Sequence, residues 1–146
     1  VQIMPARYVN DPFVIARNDN LVSINTALQI DLTGQICSES IGYRQFSGTG
    51  GASDFAYGAY RSKGGKGIIA ISSTAKKGTV SKIQPILAPG SVVSISRNIV
   101  DYVVTEYGVA KLKNKSIRER VENLISVAHP DFRDELREQA KEMMIW

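Results

Sequence analysis

Apolar positions along this chain fall in short strand-length groups over most of its length and change to a helical period near the end. Asn10-Asp11-Pro12 is a helix start, with Asp11 as cap and Pro12 at the first helical position. It predicts a short helix from Pro12 to about Arg17, closed by the turn Asn18-Asp19-Asn20. Leu21 to Asn25 and Ala27 to Leu32 read as strands, the second with Leu28, Ile30 and Leu32 on one side. Thr33-Gly34 is a hairpin-type turn, after which Gln35-Ile36-Cys37 returns as a third short strand. A helix is predicted from Asp54 to Arg61 with Ser53 as its N-cap, ended by Lys63-Gly64-Gly65-Lys66. Gly67 to Ser72 is a continuous apolar run of strand length, the pattern of a sheet buried on both faces.

Ser73 to Ser81 is polar, Lys82 to Leu87 is read as a further strand, and Ala88-Pro89-Gly90 as a turn. Ser91 to Ser96 and Tyr102 to Thr105 are β-branched strand candidates, with Arg97 to Asp101 as a loop between them. Tyr107 to Leu112 is read as a helical turn. Ser116 caps a helix to about Ala128, with Glu119 completing a capping box. Ile117, Val121, Leu124, Ile125 and Ala128 form its core-facing stripe. A last amphipathic helix runs from Asp131 to about Met144 with Phe132, Leu136, Ala140 and Met143 inward, and His129 sits at the joint before it. Strands interrupted by helices, followed by a helical end, predict an α/β domain with a mainly parallel sheet.

Phe46-Ser47-Gly48-Thr49-Gly50-Gly51-Ala52-Ser53-Asp54-Phe55 stands out from this pattern, with three glycines in four residues ahead of a helix. Glycine lets a ligand approach the backbone, and a helix N-terminus presents unpaired N–H groups to an anion. The spacing is neither the dinucleotide fingerprint nor the P-loop. Composition and spacing leave two readings open, a tight turn and an anion cradle.

The 146 residues fit one domain with a sizeable core, and 43% hydrophobic with 22% charged residues is ordinary for a globular protein. No apolar run approaches the roughly 20 residues of a membrane span, and no signal segment opens the chain. The expected setting is cytoplasmic, without a membrane. The single cysteine, Cys37, excludes an internal disulfide, and the single histidine, His129, excludes multi-histidine zinc sites and lies far from Cys37 in sequence. No metal is expected. A net charge of +4 permits an anionic ligand. The basic clusters at Arg61 to Lys66, Lys76-Lys77 and Lys111 to Arg120 lack the interleaved aromatics of a nucleic-acid platform, so none is expected to bind nucleic acid.

Several stretches together resemble one family. They are Tyr8 to Phe13, Asn20 to Ala27 with Asp31 to Gly34, Ser47 to Gly51 with Asp54-Phe55, Ser73 to Lys76, Val103 to Gly108, and Ala128 to Arg133. The set is similar to the C-terminal domain of the acetyl-CoA hydrolase/transferase family, and within it to the 4-hydroxybutyrate or butyrate CoA-transferases. The resemblance implies a three-layer α/β/α CoA-transferase domain with a mostly parallel sheet and C-terminal helices. Residues 1–146 would then be the C-terminal domain of a longer two-domain enzyme, an expectation to which the missing start methionine adds.

The resemblance also implies a mechanism. A glutamate attacks an acyl-CoA, forms an anhydride, then holds CoA as a glutamyl thioester that an incoming carboxylate releases. That glutamate lies upstream of the segment represented here. Neither Glu39 nor Glu106 takes its place: Glu39 matches no catalytic motif, and Glu106 sits in the structural motif Thr105-Glu106-Tyr107-Gly108. Within this chain the resemblance assigns an oxyanion-stabilising backbone N–H to Gly51, with Gly50 next. It adds substrate contacts from Asn10, Ser47 and Gly48, and a CoA contact from Lys76 rather than Lys77. The segment Arg61 to Gly67 is longer than in some branches of the family, which bears on the choice of lysine. CoA is a substrate here and no cofactor is expected. The expected partners are an acyl-CoA, a small carboxylate, the N-terminal half of the same protein and a possible second copy in a homo-oligomer. An acetyl-CoA hydrolase of the same family and a non-catalytic CoA-binding module are the alternatives.

Overall fold

The structure, a computed structural model, describes residues 2–146. Two short helices, α1 (Ala6–Val9) and α2 (Pro12–Ile15), open it, the second capped by Asp11, whose carboxylate accepts a hydrogen bond from Phe13 N at 2.8 Å. Strand β1 (Val22–Asn25) follows, then β2 (Gln29–Asp31), β3 (Ile36–Cys37) and a small hairpin of β4 (Ser40–Ile41) and β5 (Arg44–Gln45). Helix α3 (Ala52–Arg61) leads into β6 (Lys66–Ala70). A second hairpin, β7 (Thr74–Ala75) and β8 (Val80–Ser81), turns through Lys76–Gly78 and is followed by β9 (Ile83–Gln84). The chain ends with β10 (Tyr102–Thr105), β11 (Gly108–Lys111), α4 (Ile117–Val127), a 3-10 turn at Pro130–Phe132 and α5 (Arg133–Glu142).

The main sheet has the order β1-β6-β10-β11, parallel except for the last pair. A smaller sheet, β3-β2-β9, lies beside it and shares its core. The mixed α/β architecture, mostly parallel main sheet and C-terminal helices are as the sequence predicts. Cross-strand register puts Ser23, Gly67, Ile69, Val103 and Ala110 on one face of the main sheet, which is buried apart from the edge. Helices α3 and α4 both cover that face: Gly67 faces Ala56 and Ala59, and Gly108 faces Val127. The other face carries Val22, Ile24, Ile68, Ala70, Tyr102, Val104 and Val109, between Lys66 and Lys111. Val22, Ile24 and Val109 are 52%, 66% and 63% exposed. The described residues therefore leave open an apolar face that the run Gly67 to Ser72 predicts to be covered.

Five local elements differ from the sequence reading. Tyr107 to Leu112 is not a helical turn but a strand return, because Ala110 and Leu112 point inward while Val109 and Lys111 point out, a period of two. Ser91 to Ser96 is not a strand. Its hydroxyls take up the hydrogen bonds that a ladder would otherwise make, Ser91 Oγ accepting from Gly42 N at 2.7 Å and Ser94 Oγ from Ser38 N at 3.0 Å. Only Ile95 bridges, to Ile36. The strand expected over Lys82 to Leu87 stops at Gln84 because Pro85 has no N–H for a ladder. Helix α3 starts two residues earlier than predicted, with Gly51 rather than Ser53 at the N-cap. The predicted strand Ala27 to Leu32 narrows to Gln29–Asp31, buried on both sides, so its polar residues need partners. Gln29 donates to Ser40 O at 3.1 Å, and Asp31 Oδ1 accepts from Thr33 and Gln35 N–H groups at 2.9 Å.

The capping box of α4 forms as predicted, and Val121, Leu124, Ile125 and Ala128 are buried, whereas Ile117 lies at the exposed first turn. The same helix buries Arg120, which has no carboxylate partner. Its guanidinium donates to three carbonyls, Arg97 O at 2.8 Å and Thr33 O and Lys115 O at 3.3 Å, and ties two loops to the helix. Among the described residues no helix is long and apolar enough to cross a membrane.

Two outcomes are expected. Arg120→Ala strands these carbonyls and should cost roughly 3 kcal/mol in denaturant-monitored unfolding, since hydrogen bonds to a charged group are the stronger kind. The 146-residue chain expressed alone should bind an apolar dye or self-associate through its open sheet face, and Ile24→Glu with Val109→Glu should suppress both.

Candidate functional site

The site is built on the junction of α2 with α3. A Cβ at Gly58 would collide with the Ile15 side chain, so glycine at this position lets α2 lie directly on α3. Arg61 stacks over Phe13 at 5.9 Å and over Tyr57 at 5.8 Å and closes the same contact from the outside. With α2 fixed there, Asn10 just ahead of it reaches the start of α3. Its amide nitrogen occupies the space a side chain at position 51 would need, 2.6 Å from where a Cβ would stand.

Gly51 is the N-cap of α3 and its carbonyl accepts from Phe55 N at 3.0 Å. No hydrogen bond from Gly51 N–H is made among the described residues. An unpaired backbone donor, at the positive end of a helix and beside an amide NH2, is an arrangement suited to a developing negative charge. Asp54 in the first turn of α3 offsets part of that positive end. The loop ahead of Gly51 is held by its base: Phe46 N and Ser47 N both donate to Glu39 O, at 2.7 and 3.2 Å, and Thr49 Oγ1 lies 3.5 Å from Glu39 Oε2.

Two depressions flank this loop. One, of about 550 Å3, is lined by Ala6, Arg7, Asn10, Asp11, Thr49, Gly50, Gly51 and Asp54. The other, of about 300 Å3, is lined by hydroxyl and amide groups from Asn25, Thr26, Ser38, Ser47, Ser53 and Ser94, by Glu39, and by Gly48 to Ala52. A third cavity, of about 310 Å3, contains Lys76, Lys82 and Arg44 among Leu28, Ile41, Phe46, Ala75 and Val80. Arg44 stacks over Phe46 at 5.1 Å, so this cation-lined cavity adjoins the beginning of the glycine loop. Among the described residues no group of three or more His, Cys, Asp or Glu side chains gathers as a metal site.

A family model described as the acetyl-CoA hydrolase/transferase C-terminal domain matches residues 1–140. The chain belongs to this family. As a member of it, the domain is 59% identical over 141 residues to the 4-hydroxybutyrate coenzyme A transferase of Clostridium kluyveri, covering 97% of this chain and 33% of that protein. It is 57% identical over 143 residues to the succinyl-CoA:cyclohexane-1-carboxylate CoA transferase of Geobacter metallireducens, covering 98% of this chain and 33% of that one. The crystal structure of RipA from Yersinia pestis superimposes with a TM-score of 0.91 at 53% identity, over 97% of this chain and 32% of that one. This acetyl-CoA hydrolase/transferase domain thus spans about a third of the length of the relatives it matches.

Of the residues singled out in the sequence, the fold brings Asn10, Gly50 and Gly51 to one depression and Ser47, Gly48, Gly50 and Gly51 to the other. Lys76 lies apart from both, in the third cavity, and Lys77 lines none of the three. Arg7, Arg44 and Lys82 also line these depressions and were not singled out from sequence. Each is an isolated residue on a separate element, with no spacing to mark it. Glu106 lines none of the depressions. Its carboxylate accepts from Ser73 Oγ at 2.6 Å and Ser73 N at 2.9 Å, and the Ser73 hydroxyl, followed by backbone N–H groups, holds it below the usual glutamate range. His129 Nδ1 accepts from Asp131 N at 3.3 Å and its ring meets Tyr107 and Phe132 edge-on, which accounts for it locally.

Three glycine substitutions separate packing from site geometry. Gly58→Ala forces α2 off α3 and should cost about 1–3 kcal/mol in unfolding. Gly51→Ala meets only the movable end of Asn10 and should change stability by no more than about 0.5 kcal/mol, while displacing that amide in a crystal structure. Gly50→Ala, with nothing within 4 Å of the added carbon, should do neither.

Proposed function

We propose that this chain is the C-terminal part of a CoA-transferase that moves CoA between an acyl-CoA and a small carboxylic acid such as 4-hydroxybutyrate, butyrate or acetate. The observation that carries the reading is the Gly51 N–H, unpaired among the described residues, at a helix N-terminus beside the Asn10 amide. Attack of a carboxylate on a thioester places negative charge on the carbonyl oxygen, and donors fixed in advance stabilise that charge without reorganising. Gly51 N–H and Asn10 Nδ2 are the two donors, and loss of one such donor typically costs roughly 10²–10³ in rate. Gly48, Gly50 and Ser47 shape the path beside them. Lys76, with Lys82 and Arg44, supplies positive charge for the phosphates of CoA, while Phe46 and the aliphatic lining of the same cavity suit its apolar portions. CoA enters as a substrate, and no step calls for a cofactor.

The nucleophilic glutamate belongs to the remainder of the polypeptide, which also covers the open face of the main sheet. The domain division, with residues 1–146 as the C-terminal unit, is part of the same proposal. Two of the relatives are named for CoA transfer to or from carboxylic acids and match at 57–59% identity, which supports it.

Full-length protein incubated with butyryl-CoA and acetate should form acetyl-CoA. Lys76→Ala should raise KM for the CoA ester with little change in kcat, and Asn10→Ala should lower kcat by roughly 10²-fold. Release of free CoA at the same rate with and without added acid would instead make the protein a hydrolase.

A further inference from the structure

The turn that carries Lys76 is held in an unusual way. Lys76, Lys77 and Gly78 have φ of 48°, 57° and 89°, three successive residues in the left-handed region. Glycine adopts this conformation readily, but two adjacent lysines do not. Such backbone persists where the surroundings over-determine it, and it concentrates at functional segments. Here the tip is closed by Thr79 Oγ1 donating to Lys76 O at 2.9 Å, and the arms pair Thr74 with Ser81 and Ala75 with Val80. Ala75, Lys76, Val80, Ser81 and Lys82 together form one wall of the cation-lined cavity.

The hairpin is fixed at its base on both arms: Lys82 O accepts from Ile30 N at 2.9 Å, and Ser73 on the other arm is fully buried. Ser73 O accepts from Lys82 N at 2.8 Å, so the residue grips the opposite arm. Its N–H and hydroxyl both go to the two oxygens of Glu106. Glu106 in turn sits on a rigid corner: Thr105 Oγ1 donates to Val127 O at 2.6 Å and accepts from Tyr107 N at 3.0 Å, and the Tyr107 ring meets His129 at 5.3 Å. The β10–β11 corner, packed on the end of α4, is thereby connected to the hairpin through one carboxylate.

We propose that Glu106 is a positioning residue for Lys76: by clamping Ser73 it fixes the β7–β8 hairpin and sets the grip of its cavity on the anionic end of an acyl-CoA. The proposal rests on the CoA reading of that cavity given above. Glu106 touches no cavity wall itself and acts only through Ser73. Without this anchor the β7 arm keeps only its tie to Lys82 N, and the left-handed turn relaxes and carries Lys76 away from the cavity.

The test uses full-length protein with butyryl-CoA as probe and the variants Glu106→Gln, Ser73→Ala, Lys76→Ala and Glu106→Gln with Lys76→Ala. Glu106→Gln should raise KM for butyryl-CoA about tenfold with kcat within about twofold, the size of one hydrogen-bonded charge contact. Ser73→Ala, which keeps the backbone N–H, should have a smaller effect of the same kind. In the Lys76→Ala background, Glu106→Gln should change KM no further, because the two residues act as a unit. Trypsin should cut after Lys76 or Lys77 severalfold faster in Glu106→Gln than in the wild type.

A Glu106→Gln protein with unaltered KM and cleavage rate overturns the proposal. So does a KM effect of equal size with and without Lys76, which would make Glu106 a general stabiliser. Absence of any transfer by the wild type would strike the CoA reading instead, and the cleavage rate would then decide the positioning role by itself.

Discussion

How closely α2 can approach α3 determines whether Asn10 meets Gly51 at all. Asn10 and Gly51 are 41 positions apart, on elements that share no sheet hydrogen bonds. They meet because Gly58, with Ile15 seated against it, removes one side chain from a helix interface. Glycine inside a helix costs roughly 1 kcal/mol relative to alanine, so this position trades helical preference for proximity. The trade fixes a side-chain amide beside Gly51 before any ligand arrives. Fixed donors are worth more to a reaction than mobile ones, since no ordering remains to be done as charge develops.

The second anchoring system is polar and runs through the other end of the sheet. Arg120 is buried against three carbonyls, and Glu106 is bonded to a buried serine. Among the described residues neither forms an ion pair. Each uses a full charge to organise neutral backbone groups, which suits loops that have no ladder to satisfy them. Arg120 fixes the loops at Thr33 and Arg97 that bound the small sheet, and Glu106 fixes the start of the lysine hairpin. The α2–α3 junction is thus held by apolar packing, and the lysine hairpin by charge-to-backbone hydrogen bonds.

The long-period features were legible in the sequence: the capping box at Ser116 and Glu119, the α4 stripe, the apolar run that became β6, and the Asp11-Pro12 helix start. Each is decided by residues within a few positions of one another. The strand β11 was not, because Tyr107 to Leu112 alternates over too few residues to outweigh a helical reading until β10 is seen beside it. Ser91 to Ser96 failed for the opposite reason. Its β-branched residues satisfy a propensity, but hydroxyls from Ser91 and Ser94 meet distant backbone groups and leave no ladder. At the site, glycine spacing marked Gly48 to Gly51 as unusual without choosing between turn and cradle. Glycine spacing gives no sign of the neighbouring Asn10, whose position follows from the Gly58 contact far along the chain. Arg44 and Lys82 were invisible for the same reason, since their common cavity exists only after β4–β5 and β7–β8 fold against each other.

The open face of the main sheet explains why such a complete set of anchors serves an incomplete site. Every element that positions Asn10, Gly51 and Lys76 lies within this chain, and the buried side of the sheet is closed by its own helices. The opposite side presents Val22, Ile24 and Val109 to solvent between two lysines. An apolar surface of this kind is stable in a whole protein when other residues cover it, and the relatives have three times the length in which to supply them. The consequence is a division of work. This chain holds Asn10 against Gly51 and Lys76 on a closed turn before any ligand arrives. On the function proposed above, the group that attacks belongs to the part of the polypeptide that closes over the sheet, and assembly of the reactive centre and burial of the apolar face are then the same event.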